Sequence, residues 1–354
     1  MLKRNFFKVK SGKWETTLFI LVVCQFFAMG GMSALIPFLP LFIRDLGISS
    51  TEQIAIWSGL VFAGPFVTAL IAQPMWGALG DKRGRKPMVV RALMGLAVAQ
   101  ILIFFVPDVY WLLGMRLLQG TLSGYNVAAM SLITSIAPKE KQGYSISLLQ
   151  SASNGGVVVG PIIGGILSEF LGFRGVFLFV GLAIGLLSMV VIFFVESDKE
   201  GAKVREVVTV KDNLKTMISD RVLFGTAVLI FITSLGISSL RPIFVLYIES
   251  FDLPSGYSLA FMAGALYSIL GIFSTLSSAF FGKIVDKVSL RKVLGFSSLG
   301  TGLMYVFHPF INNIYLLIPA RIILGLSYRV ITNVLLTKIS SHASGKNKGG
   351  ILAL

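Results

Sequence analysis

The residues with the most chemistry in this sequence are arginines set inside otherwise apolar stretches. Arg116, Arg241 and Arg329 each stand within a long hydrophobic run. An ionised side chain at bilayer depth is costly, so it marks a functional site unless it snorkels outward or binds backbone carbonyls. Arg116 opens the string Arg116-Leu117-Leu118-Gln119-Gly120, about two helical turns into its run. Arg241 and Arg329 have no acidic neighbour in sequence, which leaves each open to an anionic substrate group or to acids elsewhere. Every Asp and Glu maps to a loop or a helix end. An embedded carboxylate with a burial-raised pKa would be the ordinary seat for a transported proton, and none is visible.

Two glycine-rich strings follow the arginines in interest. Gly77-Ala78-Leu79-Gly80-Asp81-Lys82-Arg83-Gly84-Arg85-Lys86 joins two apolar runs. Gly77 and Gly84 permit a tight turn and close backbone approach, and Asp81 is placed to cap the next helix and to accept bonds from nearby Arg side chains. The second string is Gly156-Val157-Val158-Val159-Gly160-Pro161-Ile162-Ile163-Gly164-Gly165. Glycines 156, 160 and 164 recur every fourth residue, so they share one helix face and cut a groove for a second backbone. Pro161 removes a donor and bends the helix at the same place.

The elements that hold these residues are membrane-length helices. Hydrophobic residues make up 55% of the chain and charged residues 13%, with a mean hydropathy of +0.83, which excludes an ordinary soluble domain. Ten apolar runs, each long enough to cross about 30 Å of hydrocarbon, lie near Leu18–Ile43, Ile54–Trp76, Met88–Val106, Tyr110–Ile136, Tyr144–Phe170, Val176–Val195, Val222–Ile248, Leu259–Phe281, Val293–Phe310 and Ile314–Ile339. These are spans 1 to 10. Span 1 is too long for a signal peptide and lacks a small-residue cleavage site.

The net charge of +15 does not call for nucleic acid. Twenty-five of the 31 Lys and Arg sit in alternate connections, while the opposite ones carry Asp45, Glu52, Asp108, Glu169, Glu249 and Asp252. That is the positive-inside pattern, and it places the N-terminus in the cytoplasm. The basic loops can touch anionic lipid headgroups instead. Cys24 is alone and His308 and His342 are isolated, so no metal site is expected and both histidines are expected at interfaces or in solvent. No G-x-x-x-x-G-K-[ST] loop occurs, so an ion gradient rather than ATP must drive any uphill step.

The chain repeats itself at an offset of 205 residues: Pro37 with Pro242, Leu41-Phe42-Ile43 with Leu246-Tyr247-Ile248, Gly59 with Gly264, Gly77 with Gly282, Asp81-Lys82 with Asp286-Lys287, Tyr110 with Tyr315, Arg116 with Arg321 and Gly120 with Gly325. Two tandem halves follow, 1–195 and 221–354, joined by a charged linker at 196–220. By this register the second half holds only four spans, and its last two helices are expected to be missing.

In chain order the strings resemble signatures of drug-exporting members of the major facilitator superfamily. Gly77 to Lys86 is similar to the loop G-x-x-x-D-[RK]-x-G-[RK]-[RK] at every defined position. Arg116 to Gly120 resembles R-x-x-q-G, and Gly156 to Gly165 resembles the antiporter motif of the fifth helix. Pro37-Phe38-Leu39-Pro40 resembles the P-x-x-P end of a first-helix motif. The resemblance implies an all-α fold of two six-helix halves with substrate bound near the midplane. It implies a transporter rather than an enzyme, with no cofactor, exchanging protons for lipophilic, often cationic drugs. It assigns Arg116 to proton coupling, the loop to a latch against helix 11, and the fifth helix to contact with the eighth. Phe26, Met29, Met32, Tyr125 and Asn126, with Phe27 and Phe38, are the expected cavity residues, joined by Arg241 and Arg329. A monomer is expected. Rival readings are a metabolite or sugar efflux carrier on the same scaffold and a non-transporting remnant.

Overall fold

The computed structural model describes residues 13–195, 216–284 and 289–342. Most of the predicted linker and the 285–288 stretch of the second loop copy lie outside them. Within them the chain is helical with no strand. In hydrocarbon every backbone N–H and C=O needs an internal partner, and a helix supplies one for nearly all of them.

The helices are α1 (Lys13–Ala34), α2 (Leu39–Asp45), α3 (Thr51–Arg83), α4 (Arg85–Phe104), α5 (Val109–Thr121), α6 (Tyr125–Ile136) and α7 (Lys139–Phe194). They continue with α8 (Arg221–Leu240), α9 (Phe244–Ile248), α10 (Leu259–Ile284), α11 (Leu290–Phe307) and α12 (Ile314–His342). Every predicted span lies on helix, and seven stretches among the described residues are long and apolar enough to cross a membrane. Spans 5 and 6 both lie in α7, which is two helices meeting at a kink where Gly172 leaves helical geometry, with φ 66° and ψ 169°. Span 4 is broken between α5 and α6.

The sequence repeat is visible as repeated architecture. The 3₁₀ turn Ile36–Phe38 separates α1 from α2, and Arg241–Ile243 separates α8 from α9, which is the same position plus 205. Pro37 and Pro242 sit in the first turn of these two segments, where a missing N–H costs least. The starts of α4 and α11 (85 and 290) and of α5 and α12 (109 and 314) also differ by 205. Even the caps repeat. Asp108 Oδ1 accepts from Tyr110 N and Trp111 N, and its counterpart Asn313 Oδ1 accepts from Tyr315 N.

The contacts group into two compact units. One holds Met1–Gly31, Ala63–Gly156 and Arg174–Lys203; the other holds Met32–Phe62, Val157–Phe173 and Val204–Leu354. The first has its core in Leu21, Leu93, Ile103, Leu112, Leu132 and Phe177. In the second, Phe38 is fully enclosed and stacks on Phe173 with centroids 5.2 Å apart. Phe38 is therefore a packing residue rather than part of a cavity wall.

Candidate functional site

Arg116 lies on α5 and is only 7% exposed. Its Nη1 donates to Gln119 Oε1 at 2.9 Å, and its Cζ stands 5.6 Å from the centroid of Phe177. The i, i+3 spacing puts Gln119 on the same helix face, and the ring offers a cation–π contact. Its Nε has no partner, and neither does Gln119 Nε2. Among the described residues no carboxylate pairs with it. Gly120 explains how the arginine is held. A Cβ there would run into Pro65 O and Thr68, and Thr68 Oγ1 donates to Leu117 O at 2.8 Å. Arginine and glycine thus form one unit, with Gly120 letting α3 approach closely enough to enclose Arg116.

The sequence predicts one continuous helix through span 4, and the structure breaks it at Leu122–Gly124. Gly124 takes φ 112°, a left-handed conformation that an L side chain resists. The carbonyls released by the break are claimed by side chains. Arg91 donates to Leu122 O at 3.1 Å and to Ser123 O at 3.0 Å, and Trp76 Nε1 donates to Thr121 O at 2.7 Å. Arg91 also lies 3.9 Å from the Trp76 ring centroid. Sequence analysis does not single out Arg91; the small, flexible Ser123-Gly124 pair is the signal that could have marked carbonyls in need of donors.

The glycine-rich loop is shorter than expected. α3 runs through Gly77, Asp81 and Lys82 to Arg83, only Gly84 is non-helical (φ 93°), and α4 starts at Arg85. Asp81 therefore does not cap α4. The cap is Gly84, without a side-chain bond, because α3 extends past the aspartate. The Asp81 side chain lies outside the described residues. Gly77 meets nothing within 4 Å, so no close approach requires it. Arg85 Nη1 donates to Ser131 O at 2.8 Å and Lys86 Nζ to Ile192 O at 2.8 Å. These carbonyls sit towards the C-terminal ends of α6 and α7, where cations are favoured. The loop cations bind the start of α4 to those two helix ends.

In the antiporter string Gly156, Gly160, Pro161, Gly164 and Gly165 are all buried. A Cβ at Gly156 would strike Phe26 O and Gly30 N, and one at Gly164 would strike Ala34 O. Phe26, Gly30 and Ala34 are themselves four residues apart, so this face of α7 meets α1. The face meeting α10 is the adjoining one. A Cβ on Gly264 would strike Pro161 O, one on Gly271 would lie 3.0 Å from Val158 Cγ2, and one on Gly165 would lie 2.8 Å from Ala260 O. The expected partner helix is present, and α1 is a second partner that spacing alone did not reveal.

The expected cavity residues divide. Tyr125 is buried with its hydroxyl donating to Leu21 O at 2.9 Å, so it joins α6 to α1. Phe26, Met29, Met32 and Asn126 are half-buried, and Asn126 Oδ1 is enclosed without a partner. Arg241 and Arg329 are half-buried. The counterpart of Arg116, Arg321, is the more enclosed cation at 8% exposure. The 205-residue register points to it, and it lies in span 10 as Arg329 does. His308 is half-buried between the Tyr247 and Tyr305 rings, and His342 pairs with Asp220 at 3.3 Å. Neither histidine is isolated.

Among the described residues four carboxylates are spent on structure. Asp108 and Asp220 cap helices, Glu249 pairs with Arg44, and Glu169 accepts from Ser258. Among the described residues no group of three His, Cys, Asp or Glu is placed to hold a metal.

This arrangement of apolar helices, glycine seams and buried cations is a membrane transporter, and comparison with known proteins identifies its class. The sequence model of the Major Facilitator Superfamily matches residues 21–354, and the chain belongs to that family. It is 35% identical over 336 residues to a multi-drug resistance efflux pump PmrA homolog of Lactococcus lactis, covering 94% of this chain and 82% of the relative. It is 33% identical over 326 residues to the multidrug resistance protein MdtG of Proteus mirabilis, covering 90% and 79%. Among solved structures, a bacterial homolog of the human lysosomal transporter Spinster superposes with a TM-score of 0.80 at 14% identity, covering 97% of this chain and 78% of that one. The nucleoside transporter NupG gives 0.71 at 16% identity, covering 96% and 86%. These two likenesses establish the fold. As a transporter of this fold the chain is not an enzyme.

Proposed function

We propose that the chain exports lipophilic drugs in exchange for protons. Two halves (1–195 and 221–354), joined by the linker 196–220, rock about a site near the bilayer midplane. The N-terminus is cytoplasmic, in the plasma membrane of a bacterium, and the working unit is a monomer. The observation that carries this reading is the Gly156–Gly165 seam, whose faces require close backbone contact with α1 and α10. Relatives named as multidrug efflux pumps at 35% and 33% identity support the substrate class. Half-buried Phe26, Met29 and Met32 suit adaptable apolar binding.

Arg116 is the coupling residue in this scheme. A guanidinium does not lose its proton at working pH, so it acts by its field. Enclosed with a single amide acceptor, its fixed charge disfavours a second positive charge nearby, whether a proton or a cationic drug, so the two exclude one another. The Gly77–Lys86 loop, with Gly77, Asp81, Lys82, Gly84, Arg85 and Lys86, is the cytoplasmic latch between the halves.

The test is efflux of ethidium from bacteria that lack their own exporters. The full chain should clear the dye at a rate that collapses when an ionophore dissipates the proton gradient. Clearance that persists without the gradient refutes exchange for protons.

A further inference from the structure

Arg321 occupies the place in the second repeat that Arg116 holds in the first (116 + 205 = 321), and the two are enclosed alike, at 8% and 7% exposure. Their surroundings differ in one decisive respect. Arg116 has Gln119 three residues on as an acceptor. The same position after Arg321 is Leu324, which is 1% exposed and offers none. Arg321 hydrogen-bonds to no described residue, and its Nε is fully enclosed.

What surrounds the guanidinium is aromatic. Its Cζ lies 3.4 Å from the centroid of Phe244. Tyr267 meets that ring edge-on at 5.3 Å, and Tyr247 stands 6.1 Å from it. Tyr247, Tyr267 and Tyr305 all interact electrostatically with the cation. The hydroxyls of Tyr247 and Tyr267 donate to His308 O and Arg241 O, so their protons are already committed. His308 uses its Nδ1–H on Met304 O at 2.6 Å and keeps Nε2 buried without a partner. The acids of the flanking elements are elsewhere: Asp220 caps α8, Glu249 binds Arg44 and Asp252 is exposed.

A planar fork with five donors, nine-tenths buried, answers to a carboxylate or a phosphoryl oxygen pair. The edge-on and tilted rings beside it answer to an apolar body. We propose that Arg321 receives the anionic head (carboxylate, phosphonate or phosphate) of an amphiphilic solute carried by this transporter, while Phe244, Tyr267 and Tyr305 hold its apolar part. This rests on the export reading above and extends its substrates from lipophilic cations to amphiphiles with an anionic head.

The experiment compares pyrenebutyrate with pyrenebutyl-trimethylammonium, which share a body and differ in head charge. Binding to the full chain in zwitterionic-lipid nanodiscs is read by fluorescence anisotropy against empty discs. Arg321→Gln should weaken pyrenebutyrate by roughly tenfold or more and leave the cation within about twofold. Arg321→Lys should stay within about fivefold of the parent. Leu324→Gln keeps the charge but supplies the acceptor that Gln119 gives Arg116, and it should weaken the anion by roughly threefold to tenfold. Unchanged pyrenebutyrate affinity in Arg321→Gln, or equal loss of both probes, overturns the proposal. Binding of the cation with Arg321-independent binding of the anion sinks this inference alone, whereas binding of neither probe sinks the export reading. Competition by phosphatidylglycerol in the parent but not in Arg321→Gln would make the occupant a lipid phosphate and overturn the solute assignment.

Discussion

Arg44 and Glu249 face each other in a two-pronged ion pair, Nη1 to Oε1 at 2.6 Å and Nη2 to Oε2 at 2.8 Å. They are 205 residues apart, which is the offset of the internal repeat, so they are one position in two copies carrying opposite charge. The neighbouring 3₁₀ turns, Ile36–Phe38 and Arg241–Ile243, are equivalents that also touch. The ion pair and the two turns therefore join equivalent positions of the two repeats.

The pair is two-fifths exposed on each side, at 41% and 39%, so screening holds it to about 0.5 kcal/mol, about a twofold shift in a two-state population. Spin labels at Asp45 and Ser250 should report a single short distance in the parent. Arg44→Glu or Glu249→Arg alone should add a longer population, and the double swap should remove it. Identical distributions in all four proteins would show that the pair is incidental.

The same pair predicts a pH dependence. The Arg44 guanidinium bonded to Glu249 holds that carboxyl below the usual carboxylate range. A depressed carboxylate stabilises the folded contact above its ordinary pKa, about 4.3, and loses that effect as pH falls through the lowered value. The Asp45–Ser250 distance should therefore be constant from neutral pH down to about 5 and lengthen only in stronger acid. Lengthening between pH 7 and 6 would mean another group controls it.

Replacing Arg116 by Ala should abolish drug-driven proton movement, and Lys should retain part of it. Intact exchange in the Ala variant would reduce Arg116 to a packing residue.

Gly164→Leu and Gly165→Leu separate the two faces of the seam. The first drives a side chain into Ala34 on α1, the second into Ala260 on α10. Both should insert normally and lose export, because a backbone contact cannot yield as a flexible side chain can. Parent-level export by either variant would show that its face tolerates separation.

How much of this was legible in the sequence depends on the range of the physics involved. Span positions follow from hydropathy, a local property, and the repeat follows from matching residues. Burial of Arg116 was legible because the arginine, the glycine and the surrounding apolar run are contiguous. The break at Gly124 was not, because it is stabilised by Arg91 and Trp76 from other helices. Asp81 was misread as a cap because loop length depends on where α3 ends, and polar residues do not end a helix by themselves. Tyr125 suited a cavity by type, but its hydroxyl is committed to Leu21 O 104 residues away. Arg321 was marked by the repeat and overlooked because its aromatic shell comes from three separate helices.

The topology has its own check. Cysteines at Asp108 and Asp252 should react with an impermeant thiol reagent from outside intact cells, and one at Lys211 should not. The opposite sidedness would invert the assignment.

The central claim is that one cycle moves a drug and a proton in opposite directions. The most direct measurement uses the purified full chain in liposomes with a trapped pH-sensitive dye and tetraphenylphosphonium added outside. The account predicts proton release driven by the added cation, saturable with its concentration and absent in Arg116→Ala. Uptake of tetraphenylphosphonium with no accompanying proton movement would contradict it.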